Sequence, residues 1–142
     1  GTIDEFIGDA ILVFFGAPIL RHDDCARAVA CAVAMQRAMA DVNVWNAAND
    51  LPEIQMGIAV NRGDVVVGNI GSMKRAKYAA VGAQVNLASR IQSYAAGGEI
   101  VVTESVLPAL VGLARVVRED TVTPKGVRLP VTISWLEPTD AV

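Results

Sequence analysis

Few residues in this chain are of types that do chemistry, and their spacing narrows the choice further. Asp9 follows Gly8 between two runs of β-forming residues, so its carboxylate is offered at a hairpin tip. Such a tip can present an oxygen ligand to Mg²⁺, which takes a few carboxylates together with substrate phosphates. A Gly-Asp pair is also ordinary turn chemistry, and both readings stand for Asp9 alone. Asn86 and Arg90 form an i, i+4 pair and project from one face of any helix that holds them. An amide and a guanidinium so placed could orient a sugar and meet charge on a phosphoryl group, or could simply be a solvated helix face. Gly63, Gly68 and Gly71 do not make a phosphate loop, because no G-x4-G-K-[ST] run is present. His22, the single histidine, lies in a charged loop and reads as a surface residue; it supports neither a Ser-His-Asp arrangement nor a metal site.

These residues need elements to hold them. Thr2 to Ile7 and Ala10 to Phe15, joined by Gly8-Asp9, predict a β-hairpin. Asp23 and Asp24 stand where a helix begins, and Ala28, Ala32, Met35, Met39 and Val42 recur at helical spacing, predicting a helix over Ala26 to Val42 that runs out in Asn43, Asn46 and Asn49. Ile54, Met56, Ile58 and Val60 alternate as a half-buried strand does. A turn at Asn61-Arg62-Gly63-Asp64 then predicts a hairpin with Val65 to Ile70. Ser72 to Lys77 reads as a polar connector, Val85 to Ala96 as a helix closed by Gly97-Gly98, and Glu99 to Thr103 as a strand. A short helix at Val106 to Val111 and further strands within Val116 to Leu136 complete the chain. The fold expected is α+β, a ferredoxin-like antiparallel sheet with helices on one face.

Composition sets outer bounds. A chain of 142 residues, 53% of them apolar and 19% charged, is one domain with a core of its own. Twelve Lys and Arg against 15 Asp and Glu, a formal charge of -3, argue against a general nucleic-acid binder. The longest apolar run, Ala10 to Leu20, is far short of the roughly 20 residues that cross a bilayer, so no membrane contact is expected from this segment. Cys25 and Cys31 fall on different faces of the helical pattern and suit reduced, cytoplasmic thiols. The chain opens on Gly1-Thr2 and enters a strand at once, which leads us to expect a piece of something longer, with the first strand of the sheet missing.

Five segments in order carry a resemblance: Glu5-Phe6-Ile7-Gly8-Asp9-Ala10, Phe14-Phe15-Gly16-Ala17-Pro18, Gly68-Asn69-Ile70-Gly71-Ser72, Val85-Asn86-Leu87-Ala88-Ser89-Arg90 and Lys125-Gly126. Together they resemble the catalytic domain of the class III adenylate and guanylate cyclases, from the first residues to about Leu136. The resemblance implies a cyclase catalytic domain over residues 1–142, incomplete at its N-terminus. It implies a reaction that turns a purine nucleoside triphosphate into a 3′,5′-cyclic nucleotide and pyrophosphate for intracellular signalling. It also implies two Mg²⁺ or Mn²⁺ ions, and a homodimer in which each active site is shared between chains.

Residue by residue, Asp9 matches the second of the family's two metal aspartates, the first lying upstream of Gly1. Asn86 matches the ribose-orienting asparagine, Arg90 the transition-state arginine and Lys125 the lysine on the terminal phosphates. Glu5 matches the purine-selecting position, Lys in adenylate and Glu in guanylate cyclases, with Ala79 at its partner position. Physical chemistry agrees with a guanine reading. Guanine offers N1–H and its 2-amino group side by side, two donors that one carboxylate accepts together, whereas adenine N1 is an acceptor that a carboxylate repels. GTP is therefore the expected substrate and ATP the alternative. A second expectation, from another class, is a non-catalytic nucleotide-binding or dimerisation module that regulates a fused partner. RNA binding on the sheet is disfavoured by the lack of paired aromatics there.

Overall fold

The computed structural model describes residues 1–71 and 77–139. It opens with β1 (Thr2–Ile7) and β2 (Ala10–Phe14), an antiparallel hairpin in which Ile7 pairs with Ala10 across a two-residue turn. Gly8 takes φ +58°, the positive value that such a turn requires of its first central residue. Helix α1 (Asp24–Ala48) follows, then β3 (Ile58–Val60), β4 (Val66–Ile70), β5 (Lys77–Val81), α2 (Ala83–Gln92) and β6 (Ile100–Thr103). A 3₁₀ turn at Glu104–Ala109 accommodates Pro108, and β7 (Ala114–Val122) and β8 (Val131–Pro138) close the described chain.

The central sheet has the order β3-β6-β8-β7. β3 and β6 are parallel, while β8 runs antiparallel to both β6 and β7. The hairpins β1-β2 and β4-β5 form two further sheets of two strands each. The α+β class thus holds, with a mixed rather than purely antiparallel sheet.

One expected feature is corrected by the packing: the two helices do not share a face of this sheet. Ile100, Val102 and Leu136 pack with Val29, Ala32 and Val33 of α1. Their neighbours Val101 and Trp135, with Ile133, pack with Ile91 of α2. Successive residues of a strand point to opposite faces, so the parity of these contacts places α1 on one side and α2 on the other. Ile100, Val101 and Val102 are all at most 1% exposed, the mark of a strand covered on both faces.

Other differences have local causes. α1 continues through Asn43 and Asn46 to Ala48 because both amides are used by the returning chain. Asn43 accepts from Ile54 N–H and donates to its carbonyl, and Asn46 donates to the Pro52 carbonyl. Held in this way, Ile54 to Gly57 lie outside β3, although the alternation had predicted strand there. The expected hairpin from Ile54 to Ile70 does not form. β3 pairs with β6, and β4 pairs with β5, a strand that the sequence reading passed over. α2 begins at Ala83 and ends at Gln92, four residues before Ala96. The connector Ser72 to Lys77 lies outside the described residues except for Lys77, where β5 begins.

Candidate active site

Helix α2 carries Asn86 and Arg90 on its exposed face because its other face is committed. Ile91 is fully buried, and Leu87 packs beside it against the sheet. The far end of the helix is tied down by Trp135, whose Nε1–H donates to the Tyr94 carbonyl at 3.3 Å. Arg118 lies over the Trp135 ring at 3.7 Å and covers it from the solvent side.

Arg90 and Lys125 come together. They line one cleft of about 140 Å³ with Ser89, Ser93, Tyr94 and Pro124. Lys125 is presented by a tight turn in which Val127 N–H bonds the Pro124 carbonyl at 3.0 Å and Gly126 takes φ +84°. Pro124 is buried beneath it. Two cationic side chains and three hydroxyl-bearing residues around one small cleft suit an anion of phosphate size. Asn86, one turn back along α2, is exposed outside the cleft lining.

Glu5, Ala79 and Asp9 belong to a second region. The pairing of β1 with β2 is irregular between Ile3 and Glu5, and there the Asp4 carboxylate accepts from Ala80 N–H at 2.8 Å. Phe14 also meets Tyr78, their ring centroids 5.8 Å apart. These contacts dock the first hairpin on β5, so that Glu5 and Ala79 each adjoin the Asp4–Ala80 bond. Glu5 is exposed and Ala79 is buried at 4% exposure. Asp4 was not among the residues singled out from sequence. Its alternation with Thr2 and Phe6 reads as a strand face, and only the irregular pairing turns its carboxylate to β5.

Asp9 is exposed at the hairpin tip. Among the described residues no group of three or more His, Cys, Asp or Glu side chains converges on a metal position. Burial pushes the Cys25 thiol pKa up, and the charge of Arg62 only partly opposes that.

A mixed sheet flanked by helices, with a cationic cleft on one helix and a carboxylate-bearing hairpin, defines a class that direct comparison confirms. The family model for the adenylate and guanylate cyclase catalytic domain matches residues 4–138, and the chain belongs to that family. Among solved structures, the guanylyl cyclase Cya2 is 53% identical with a TM-score of 0.90, over 96% of this chain and 69% of that one. The adenylyl cyclase CyaB from P. aeruginosa is 32% identical with a TM-score of 0.88, over 98% of this chain and 72% of that one. An adenylate cyclase of Anabaena cylindrica is 37% identical over 113 residues, 75% of this chain and 22% of its own length. The chain spans 22% of the length of that relative and 14% of the length of adenylate cyclase 1 of Rhizobium meliloti.

Proposed function

We propose that this chain is the catalytic part of a purine nucleotide cyclase that prefers GTP to ATP and works as a symmetric homodimer. The observation that carries the reading is the meeting of Arg90 and Lys125 on one cleft, since cyclisation of a triphosphate needs cations at both the reacting and the departing phosphates.

In this reading Lys125 holds the terminal phosphates and Arg90 meets the charge that grows as the α-phosphate is attacked. Asn86 orients the ribose. The ribose 3′ oxygen forms a new bond to the α-phosphorus while the bond to the β-phosphate oxygen breaks; the hydroxyl proton passes to water, and pyrophosphate departs. Asp9 would hold a divalent ion, which when bound supplies charge neutralisation for the triphosphate and lowers the pKa of the attacking hydroxyl. Glu5 accepts from guanine N1–H and the 2-amino group.

Sharing of sites between two chains is supported by the division of these residues between the α2 cleft and the first hairpin. Exposed apolar side chains support the dimer itself, among them Phe6 at 69% and Val66 at 68% exposure. No helix among the described residues is long and apolar enough to cross a membrane. A cytoplasmic site of action in signalling is part of the same proposal.

The test is direct. The full-length protein, with the strand expected to precede Gly1, is incubated with GTP or ATP in Mg²⁺ or Mn²⁺, and cyclic nucleotide and pyrophosphate are measured separately. Faster formation of cyclic GMP than of cyclic AMP supports the full reading. Faster formation of cyclic AMP overturns the role of Glu5 and leaves the cyclase reading intact. The second reading, a non-catalytic nucleotide-binding module, is favoured by Ala79, 4% exposed, whose methyl group can neither donate to nor accept from a purine. Nucleotide binding with neither product formed would decide for it.

A further inference from the structure

We infer that Asn61 is a positioning residue for the reaction: a hydrogen-bonded clamp at the end of β3 that sets where α2 begins and hence where Asn86 and Arg90 point. This rests on the cyclase reading of those two residues; the clamp itself rests on geometry.

The start of α2 needs an external tether. Its N-cap position is Gly82, at φ +139°, which offers no side chain to cap the first turn. A helix of 10 residues is marginal by itself, so its placement comes from tertiary contacts. Ile91 and Leu87 determine which face is buried. They do not determine rotation or slide of the first turn, because apolar contact is non-directional.

Asn61 supplies direction. Its Nδ2 donates to the Gln84 carbonyl at 2.9 Å and to Gln84 Oε1 at 3.0 Å. Its Oδ1 accepts from the Thr103 hydroxyl at 2.7 Å, which holds the amide with its donors aimed at the helix. Thr103 is 4% exposed, at the end of β6. Because Val60 pairs with Val102 in parallel register, the next residues along, Asn61 and Thr103, fall side by side. Ser105 completes the assembly, within 3.2 Å of the Thr103 hydroxyl and donating to the Arg62 carbonyl at 2.9 Å. Gly63 leaves room for the arrangement, since a Cβ there would run into the Gln84 side chain.

Gln84 lies in the first turn of α2, Asn86 follows it within that turn, and Arg90 stands one turn beyond Asn86. A slight rotation at Gln84 is therefore delivered to both. Arg90 must meet charge at a defined point on the phosphate, and displacement by about 1 Å can cost on the order of a hundredfold in rate.

The test uses Asn61→Asp, which keeps the shape and the acceptor for Thr103 but replaces both donated bonds by a carboxylate facing the Gln84 carbonyl. Thr103→Val, also close in shape, removes the hydroxyl that aims the amide. Two measurements are made on the whole protein: amide hydrogen exchange and steady-state turnover of the better nucleotide. We expect Asn61→Asp to speed exchange in residues 83–88 while β6 and β8 stay protected. Turnover kcat should fall roughly ten- to a hundredfold with KM within about threefold. Thr103→Val should act in the same direction less strongly, and the double variant should be no worse than Asn61→Asp alone, as for two members of one network.

Unchanged exchange in α2 would overturn the clamp. Faster exchange with unaltered kcat would overturn its role in positioning, and faster exchange throughout the sheet would reduce Asn61 to a general stabiliser. A wild-type protein that turns over neither nucleotide refutes the cyclase reading, and the exchange measurement then decides the clamp by itself.

Discussion

Two adjacent residues of α2 should respond to truncation in opposite ways, because one faces the core and the other the cleft. Ile91 is 0% exposed among Val101, Ile133 and Trp135, whereas Arg90 is exposed beside Lys125. Ile91→Ala removes three carbons from a packed site and should cost about 2 to 5 kcal/mol, transfer and cavity together. For 142 residues the unfolding entropy near the midpoint is about 0.3 kcal/mol/K, so a loss of about 3 kcal/mol lowers Tm by about 10 °C. Arg90→Ala, at an exposed helical position, should change stability by no more than about 0.5 kcal/mol. Its effect belongs to turnover, where loss of a cation that meets transition-state charge should lower kcat by about 10² to 10³, by analogy with removal of an oxyanion donor. Urea unfolding followed by circular dichroism gives the first pair of numbers, and cyclic nucleotide formation well below the unfolding range gives the second. The reasoning fails if Arg90→Ala unfolds as readily as Ile91→Ala. It fails equally if Arg90→Ala weakens nucleotide binding and turnover by the same factor, since the arginine would then only hold substrate.

Lys125→Ala should weaken nucleotide binding by about ten- to a hundredfold, the loss of one charge-assisted contact, with a smaller change in kcat; titration with a fluorescent GTP analogue reads the first and steady-state kinetics the second. Glu5→Lys combined with Ala79→Asp should move the GTP to ATP preference by roughly one to two decades towards ATP, measured as a ratio of kcat/KM values. Ala79→Asp alone should lower Tm, because position 79 is 4% exposed and the new carboxylate would be buried without a partner. Phe6→Glu, at a side chain 69% exposed, should leave the thermal transition in place and shift sedimentation towards monomer; an unchanged dimer would remove this face of the first hairpin from the interface.

What the sequence by itself determined is local. The first hairpin is legible because Gly8-Asp9 interrupts two alternating runs, and the chain turns there with the expected two-residue loop. α2 is legible in its middle, where Val85 to Gln92 lie in the expected helix although both ends differ, and the i, i+4 spacing puts Asn86 and Arg90 on one side whatever the helix packs against. The family, too, was readable from short ordered segments. Periodicity states which face of an element is buried, but it does not state against what. β3 and β4 each read correctly as strand over part of their length, yet β3 joins β6 in parallel and β4 joins β5, because ladder partners are chosen by long-range closure rather than by nearness in sequence. The two faces of the central sheet were assigned to α1 and α2 by the packing of alternate residues of β6 and β8. Lys125 meets Arg90 through the path of the chain beyond β7, and Asp4 reaches Ala80 only where β1 departs from regular pairing. Asn61 looked like a turn residue, and the parallel register of β3 and β6 gave it Thr103 on one side and Gln84 on the other. A hydrogen bond between distant residues depends on distance and angle to a few tenths of an ångström, and those exist only once the core has fixed how the elements lie.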